Sequence, residues 1–318
     1  MPAHDSQTWL TFADWGEKYD DISSITIFGQ TIVVLNSVDA ANEMLAVKSA
    51  IYSDRPQLVL TGELGGWNQA IGASKYNNRW QKMRKLFHSA IGTPAANKRF
   101  DSGKEKEAQR LMRNILRDPE HVLDHLRLTA GATMLRDTYG YEVIDENNDP
   151  VINIATEALN QFSRTTTPPY YMVEFIPALK YLPVWFPGAY FRRLGVQIKA
   201  TLEIMAQLPF DFTKKDIAQG TAPHSFVSGL LESHPEEEII IKWTAKSLYS
   251  GASDTSVSAI YAGMLAMILY PDAAERARAE IDSVVGSDRL PSFSDRPHLP
   301  YVNAFIKEVD LLKALELT

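Results

Sequence analysis

Residues 235–270, PEEEIIIKWTAKSLYSGASDTSVSAIYAGMLAMILY, limit the possible folds more than any other stretch, because no proline interrupts them before Pro271. Pro235 suits a first helical position, and Glu236, Glu237 and Glu238 put negative charge at the positive end of a helix dipole. A helix of this length reaches roughly 50 Å, enough to cross a domain. Its flanks (Ile239, Ile240, Ile241, Trp243 and Leu248; Ile260, Met264, Leu265, Met267 and Leu269) are apolar nearly all round, which predicts a buried helix. A membrane span needs about 20 predominantly apolar residues. The longest run here, 257–270, is shorter and contains Ser258, so a core helix is the better reading.

The middle of this helix departs from its flanks. Ser250, Gly251, Ala252, Ser253, Asp254, Thr255 and Ser256 are small or polar, and most are mediocre helix formers. Small residues let a large flat ligand approach the backbone, and Ser or Thr can bond back to the carbonyl one turn earlier. A carboxylate beside an alcohol in an apolar helix needs a partner, a water chain or a task. Two readings stay open: a polar kink satisfied within the core, or a site where Asp254 and Thr255 handle protons beside a cofactor. A nucleophile elbow is excluded, because Gly251-Ala252-Ser253 lacks the second glycine and no strand precedes it.

With 318 residues, 45% hydrophobic and 22% charged, the chain has the composition of a soluble globular protein with an ample core. Its net charge of −7 argues against general nucleic-acid binding. The cysteine count is zero, so neither a disulfide nor a thiolate ligand comes from these residues. The first residues, MPAHDSQTWLTFADWGEKYDD, show no signal peptide or anchor.

In chain order, residues 8–19 read as a short amphipathic helix, and 25–28 and 31–35 as strands joined by a two-residue Gly29-Gln30 turn. Ser37 can cap a helix carrying Val38, Ala41, Met44, Leu45 and Lys48, and a glycine-dotted loop is expected over 61–73. In 75–90, KYNNRWQKMRKLFHSA, the residues Trp80, Met83 and Phe87 form an apolar stripe, with Arg84 one turn beyond Trp80. The five cations there are either a solvated basic face or an anion clamp in which an indole N–H and a guanidinium hold carboxylates. His121 and His125 have metal-ligand spacing, but without a third ligand they predict no metal site. Residues 145–150 read as a turn. Between 165 and 193, five prolines exclude a long helix, and the aromatics followed by Arg192 and Arg193 suit either an irregular connection or contact with a membrane interface through 168–193. Helices are expected at 194–208 and at 272–285, the latter with an Arg276–Glu280 pair.

WQKMR (80–84), GASDTS (251–256) and LPYVNAFIKEV (299–309), in this order and spacing, resemble the cytochrome P-450 haem-thiolate monooxygenases, especially fungal microsomal members. YSDRP (52–56) and LKYLPVWFPG (179–188) are similar to the same group, and the resemblance runs from about residue 12 to residue 309. It implies a mainly α fold, a cytochrome P-450-like helical domain with a small N-terminal β-hairpin. Residues 1–318 would form one incomplete domain, truncated at the C-terminus. Trp80 and Arg84 match the helix that binds a haem propionate, and Gly251 and Ala252 match small residues over the haem face. The second of these is usually Gly, so Ala252 is expected to narrow the oxygen groove. Asp254 and Thr255 match the acid–alcohol pair that delivers protons to bound dioxygen, and Glu308 matches the glutamate of an E-x-x-R pair. The implied activity is insertion of one oxygen atom from O2 into an apolar organic substrate. The implied cofactor is haem b, with NADPH electrons from a cytochrome reductase partner at the endoplasmic reticulum membrane.

The pattern then fails. Leu311 stands three residues after Glu308 where the family has Arg, DLLKALELT (310–318) is unlike the family, and no cysteine supplies the axial thiolate. The membrane anchor and proline-rich hinge of microsomal relatives are also missing, which would leave this chain cytoplasmic. The alternative expectation is therefore a non-catalytic truncated product, or a weak haem- or ligand-binding module without oxidoreductase activity. Such a product would expose core surface on its central helix and tend to aggregate.

Overall fold

The computed structural model describes residues 8–27, 29–143, 148–167 and 171–316. In chain order its principal elements are α1 (Thr8–Tyr19), β1 (Ile22–Ile27), β2 (Gln30–Leu35), α2 (Asn78–Ile91), α3 (Asp101–Arg117), α4 (Val122–Tyr139) and α5 (Pro150–Thr166), followed by α6 (Tyr190–Gln219), α7 (Phe226–Ser233), α8 (Glu238–Leu269), α9 (Pro271–Val285) and α10 (Pro300–Glu316). This is a mainly helical fold with one two-stranded sheet among the described residues. The chain forms two compact units, residues 1–81 with 160–202, and residues 82–159 with 203–318.

In the first unit, β1 and β2 pair antiparallel with Ile27 opposite Gln30. Gln30 is therefore already in β2 and not in the turn, which corrects the expected Gly29-Gln30 turn; Phe28, expected to end the first strand, lies outside the described residues. Gly29 takes φ 80°, a backbone conformation that costs glycine least and so pulls the turn onto it. Ser37 caps the next helix as expected, its hydroxyl accepting from the Ala40 N–H at 3.2 Å. That helix then widens into a π-helical segment, Asn42–Val47.

The stretch 61–73 is not an open loop. It coils as a π-helical turn, Val59–Leu64, and two 3-10 turns, Trp67–Gln69 and Ile71–Ala73. The sequence carries no periodicity for this coil because a distant group imposes it. The Glu174 carboxylate accepts from the Val59 and Leu60 N–H groups, each at 2.8 Å, satisfying donors at a helix start. Gly65 permits the close approach: a Cβ there would lie 2.7 Å from both Ile198 Cγ2 and the Thr61 carbonyl. Val59, Leu60, Val173, Ala189 and Phe191 close the core around this turn.

The second unit is built on α8, which packs most extensively against α4 and also contacts α7, α9 and α10. Leu111 of α3, Leu126 and Ala130 of α4 and Val257 of α8 form one apolar cluster. The expectation of a helix buried all along its length holds only for the first half. Ile241, Trp243, Thr244, Ala245, Lys246, Leu248 and Tyr249 are buried, whereas beyond Ser250 one face opens, with Ile268 76% and Leu269 58% exposed. Polar and apolar residues share that open face, so periodicity could not separate it from the core. By length and mean hydropathy (1.3) the helix could also cross a membrane. Its first half, with buried Thr244 and Lys246, packs as a core helix, whereas only 11% of its apolar 18-residue window is buried.

Other expectations are corrected here. The helix expected at 194–208 runs from Tyr190 to Gln219 with Pro209 inside it. Buried Ile198, Leu202, Met205, Ala206 and Phe210 supply enough apolar burial to outweigh the roughly 3 kcal/mol that an internal proline costs. Arg276 and Glu280 do not pair. Glu280 instead caps α10, accepting from the Tyr301 and Val302 N–H groups at 2.9 and 2.8 Å. His121 and His125 both bond Asp118, through its carboxylate (2.9 Å) and its carbonyl (2.9 Å) respectively. Of the turn expected at 145–150, residues 145–147 lie outside the described residues, and Pro150 already begins α5.

Between α3 and α4 lies a buried ionic knot. Glu107, 2% exposed, holds Arg110 at 2.7 Å and Arg136 at 2.9 Å. Beside it, burial pushes the Asp137 carboxyl up to about 6, against the pull of Lys104 at 3.8 Å. A carboxyl raised in the folded state stabilises the fold when protonated, and that stabilisation is lost as pH rises through its folded pKa. Comparing wild type with Asp137→Asn, the difference in unfolding free energy should move in favour of wild type by about 1–2 kcal/mol as pH falls from about 7 to about 4.5. Denaturant unfolding at the two pH values measures it, and a constant difference would contradict the assignment.

Candidate functional site

Two helices carry the residues singled out in the sequence. On α8 the hydroxyls bond back along the backbone, as their residue types predict: Thr244 to Ile240 O and Ser247 to Trp243 O at 2.7 Å, and Thr255 to Gly251 O at 2.8 Å. Ser258 does the same to Asp254 O at 3.1 Å. Past Ser250 these bonds coincide with the change from buried to open. Gly251, Asp254, Thr255 and Ser258 are exposed on successive turns, while Ala252 and Ser253 are half-buried. A Cβ at Gly251 would meet nothing within 4 Å, so a flat group can reach the helix backbone there. The Ser253 Oγ is buried without a hydrogen-bond partner among the described residues. Asp254 and Thr255 thus stand together on an open face that starts at a glycine.

On α2, Met83, Leu86 and Ala90 form the buried stripe, and Trp80 and Phe87 are half-buried at its margin. Asn77 starts the helix by accepting from the Trp80 N–H at 3.0 Å. The Trp80 indole N–H, expected to point at a ligand carboxylate, donates to the Ile71 carbonyl at 3.2 Å, and its ring lies 5.0 Å from that of Tyr76. Arg84 is exposed one turn on, its guanidinium 5.8 Å from the Phe87 ring. Trp80 belongs to the first unit, whereas Arg84 and the α8 residues belong to the second. On α10, Glu308 is exposed and Leu311, at the position of the family's arginine, is 55% exposed.

Two buried groups near the open face escaped the sequence reading. Lys246 is fully buried, and burial drives its pKa well below the usual lysine range. Tyr249 is buried with its hydroxyl beside Gly131 of α4, and burial, then Asp149 and Asp254, push its pKa up. The signal for Lys246 was present in the sequence: a half-helix apolar on all sides leaves no solvated face for a cation.

A haem fits these residues in part. The open glycine and the Asp254–Thr255 pair suit the face of a flat ring, and exposed Arg84 suits a carboxylate. The Trp80 donor is already engaged, and the 318 residues include no cysteine to serve as axial ligand.

Comparison with known proteins bears on the family and the fold. The profile of the cytochrome P450 family matches residues 3–309. The chain is 44% identical over 311 residues to cytochrome P450 monooxygenase 208 of Postia placenta, covering 97% of this chain and 60% of that relative. It is 41% identical to cytochrome P450 monooxygenase claR of Ampulloclitocybe clavipes (95% and 56% covered) and 32% identical to the O-methylsterigmatocystin oxidoreductase of Aspergillus flavus (97% and 59% covered). It therefore spans about 60% of the length of these relatives. Among solved structures, a zebrafish cytochrome P450 with progesterone superposes with a TM-score of 0.75 at 19% identity, over 96% of this chain and 71% of that one. The likeness extends to the fold, and the sequence match covers nearly every residue: the chain belongs to the cytochrome P450 family.

Proposed function

We propose that this chain carries the oxygen-side and propionate-side parts of a haem-dependent monooxygenase that inserts one oxygen atom from O2 into an apolar organic substrate. The observation that carries the reading is the open Gly251–Thr255 face on an otherwise buried helix, in a chain of this family. A single family match across 3–309 also supports treating the two units as parts of one domain.

When bound, haem supplies activation of O2, with electrons drawn from NADPH through a reductase partner. The chain's own residues bind and supply protons. Arg84 would hold a propionate, and Trp80 would do so by sharing or releasing the Ile71 carbonyl. Gly251 and Ala252 admit the ring to the helix backbone. Thr255 Oγ1 keeps its proton on the Gly251 carbonyl until the hydroxyl turns outward to donate it. The exposed Asp254 carboxylate can draw replacement protons from water. The axial sulfur is not among these residues.

A membrane location in the endoplasmic reticulum fits the exposed aromatics of 171–190. Tyr181 and Trp185 are each 79% exposed and lie beside apolar Phe175, Ile176 and Phe186, a composition suited to a lipid interface.

Haemin titration followed by absorbance tests whether these residues hold the ring. Saturable uptake weakened several-fold by Arg84→Gln is expected, with a reduced carbon monoxide spectrum that is not of thiolate type. No uptake, or uptake indifferent to Arg84, would contradict the proposal. Gly251→Ala tests the ring-facing helix separately. Without haemin it should stabilise the chain by about 0.5–1 kcal/mol, because an exposed mid-helix glycine is replaced in open space. With haemin, the added methyl should lower affinity. Stabilisation without loss of haemin affinity would place the ring elsewhere.

A further inference from the structure

A cleft of about 250 Å³ lies within the first unit, lined by three cations, Arg55, Lys75 and Arg79, with the amides of Asn68 and Asn77. One carboxylate, Glu63, also lines it. That carboxylate is already matched: it accepts from Lys180 Nζ at 2.6 Å and from the Gln57 side-chain amide. Arg55 and Lys75 are exposed and form no ion pair among the described residues. Arg79 is the unusual member. Its Nη1 donates to the Gln69 carbonyl at 3.0 Å, while Nη2 is cut off from solvent with no hydrogen-bond partner among the described residues. A guanidinium carries five donors and cannot lose its charge under ordinary conditions, so burying part of it unpaired costs free energy that a counter-anion would return. Burial correspondingly lowers the Arg79 pKa from its ordinary value.

We propose that this cleft binds a small multivalent oxyanion, a phosphate or a polycarboxylate. Partly buried Arg79 would bond the anion through Nη2, Arg55 and Lys75 would add charge, and Asn68 and Asn77 would donate further hydrogen bonds. The inference is independent of the haem reading.

Isothermal titration of the purified chain with pyrophosphate and with citrate, at constant ionic strength in chloride, tests it. Saturable binding of at least one anion is expected, and the tighter of the two assigns the class. Arg79→Gln should weaken binding about tenfold or more, the loss expected for one charge-assisted partner. Lys85→Gln, on the same helix but outside the cleft, should leave binding unchanged. If Arg79→Gln fails to fold, as judged by circular dichroism, the exposed double variant Arg55→Gln with Lys75→Gln should show the same weakening. Binding should persist in protein preloaded with haemin. No saturable heat from either anion, or unchanged affinity in these cleft variants, would overturn the proposal. Loss of binding on haemin loading would overturn it too, because the cations would then be receiving a haem propionate.

Discussion

The packing of α8 against α4 is the constraint on which the second unit depends. Leu126 and Ala130 on α4 meet Val257 on α8, and Leu111 of α3 completes the cluster, so three helices share one apolar seam. Small residues bring the helices close: at Gly131 a Cβ would come within 3.9 Å of the Tyr249 hydroxyl. Glu107 of α3 ties the two helices together through Arg136 of α4, while also holding Arg110 of its own helix. A buried ion pair of this kind gives weak net stability but penalises loss of either partner, which keeps the register of the two helices.

This packing also creates the functional asymmetry of α8. Its first half is enclosed, and the Thr244 and Ser247 hydroxyls satisfy themselves on carbonyls a turn earlier. Its second half keeps Val257 and Ala266 inward and turns Gly251, Asp254, Thr255 and Ser258 outward. One continuous helix therefore provides both anchorage and an open polar surface. The rigidity of the buried half is what would position a proton-handling pair on the open half.

How much of this was legible in the sequence depended on whether its cause was local. The length of α8, its acidic start and its back-bonding hydroxyls follow from residue types within a few positions and were read correctly. The Ser37 cap and the α2 stripe around Met83 likewise rest on short-range spacing. What failed was set by distant partners. Glu174 coils residues 59–64 from more than a hundred positions away, and Glu280 caps α10 instead of pairing with Arg276. Pro209 sits inside α6 because apolar burial on both sides overrides the local penalty. At the site, the Asp254–Thr255 pair was visible as polar residues in an apolar helix. The engagement of the Trp80 indole by Ile71 required the fold.

The central claim is that α8 is one helix with a closed half and a ligand-facing half. Hydrogen–deuterium exchange with and without haemin measures it most directly. The account predicts slow exchange across 241–249 in both states, and faster exchange across 251–262 that slows when haemin is added. Uniform protection along the whole helix, or haemin protection confined to other segments, would contradict it.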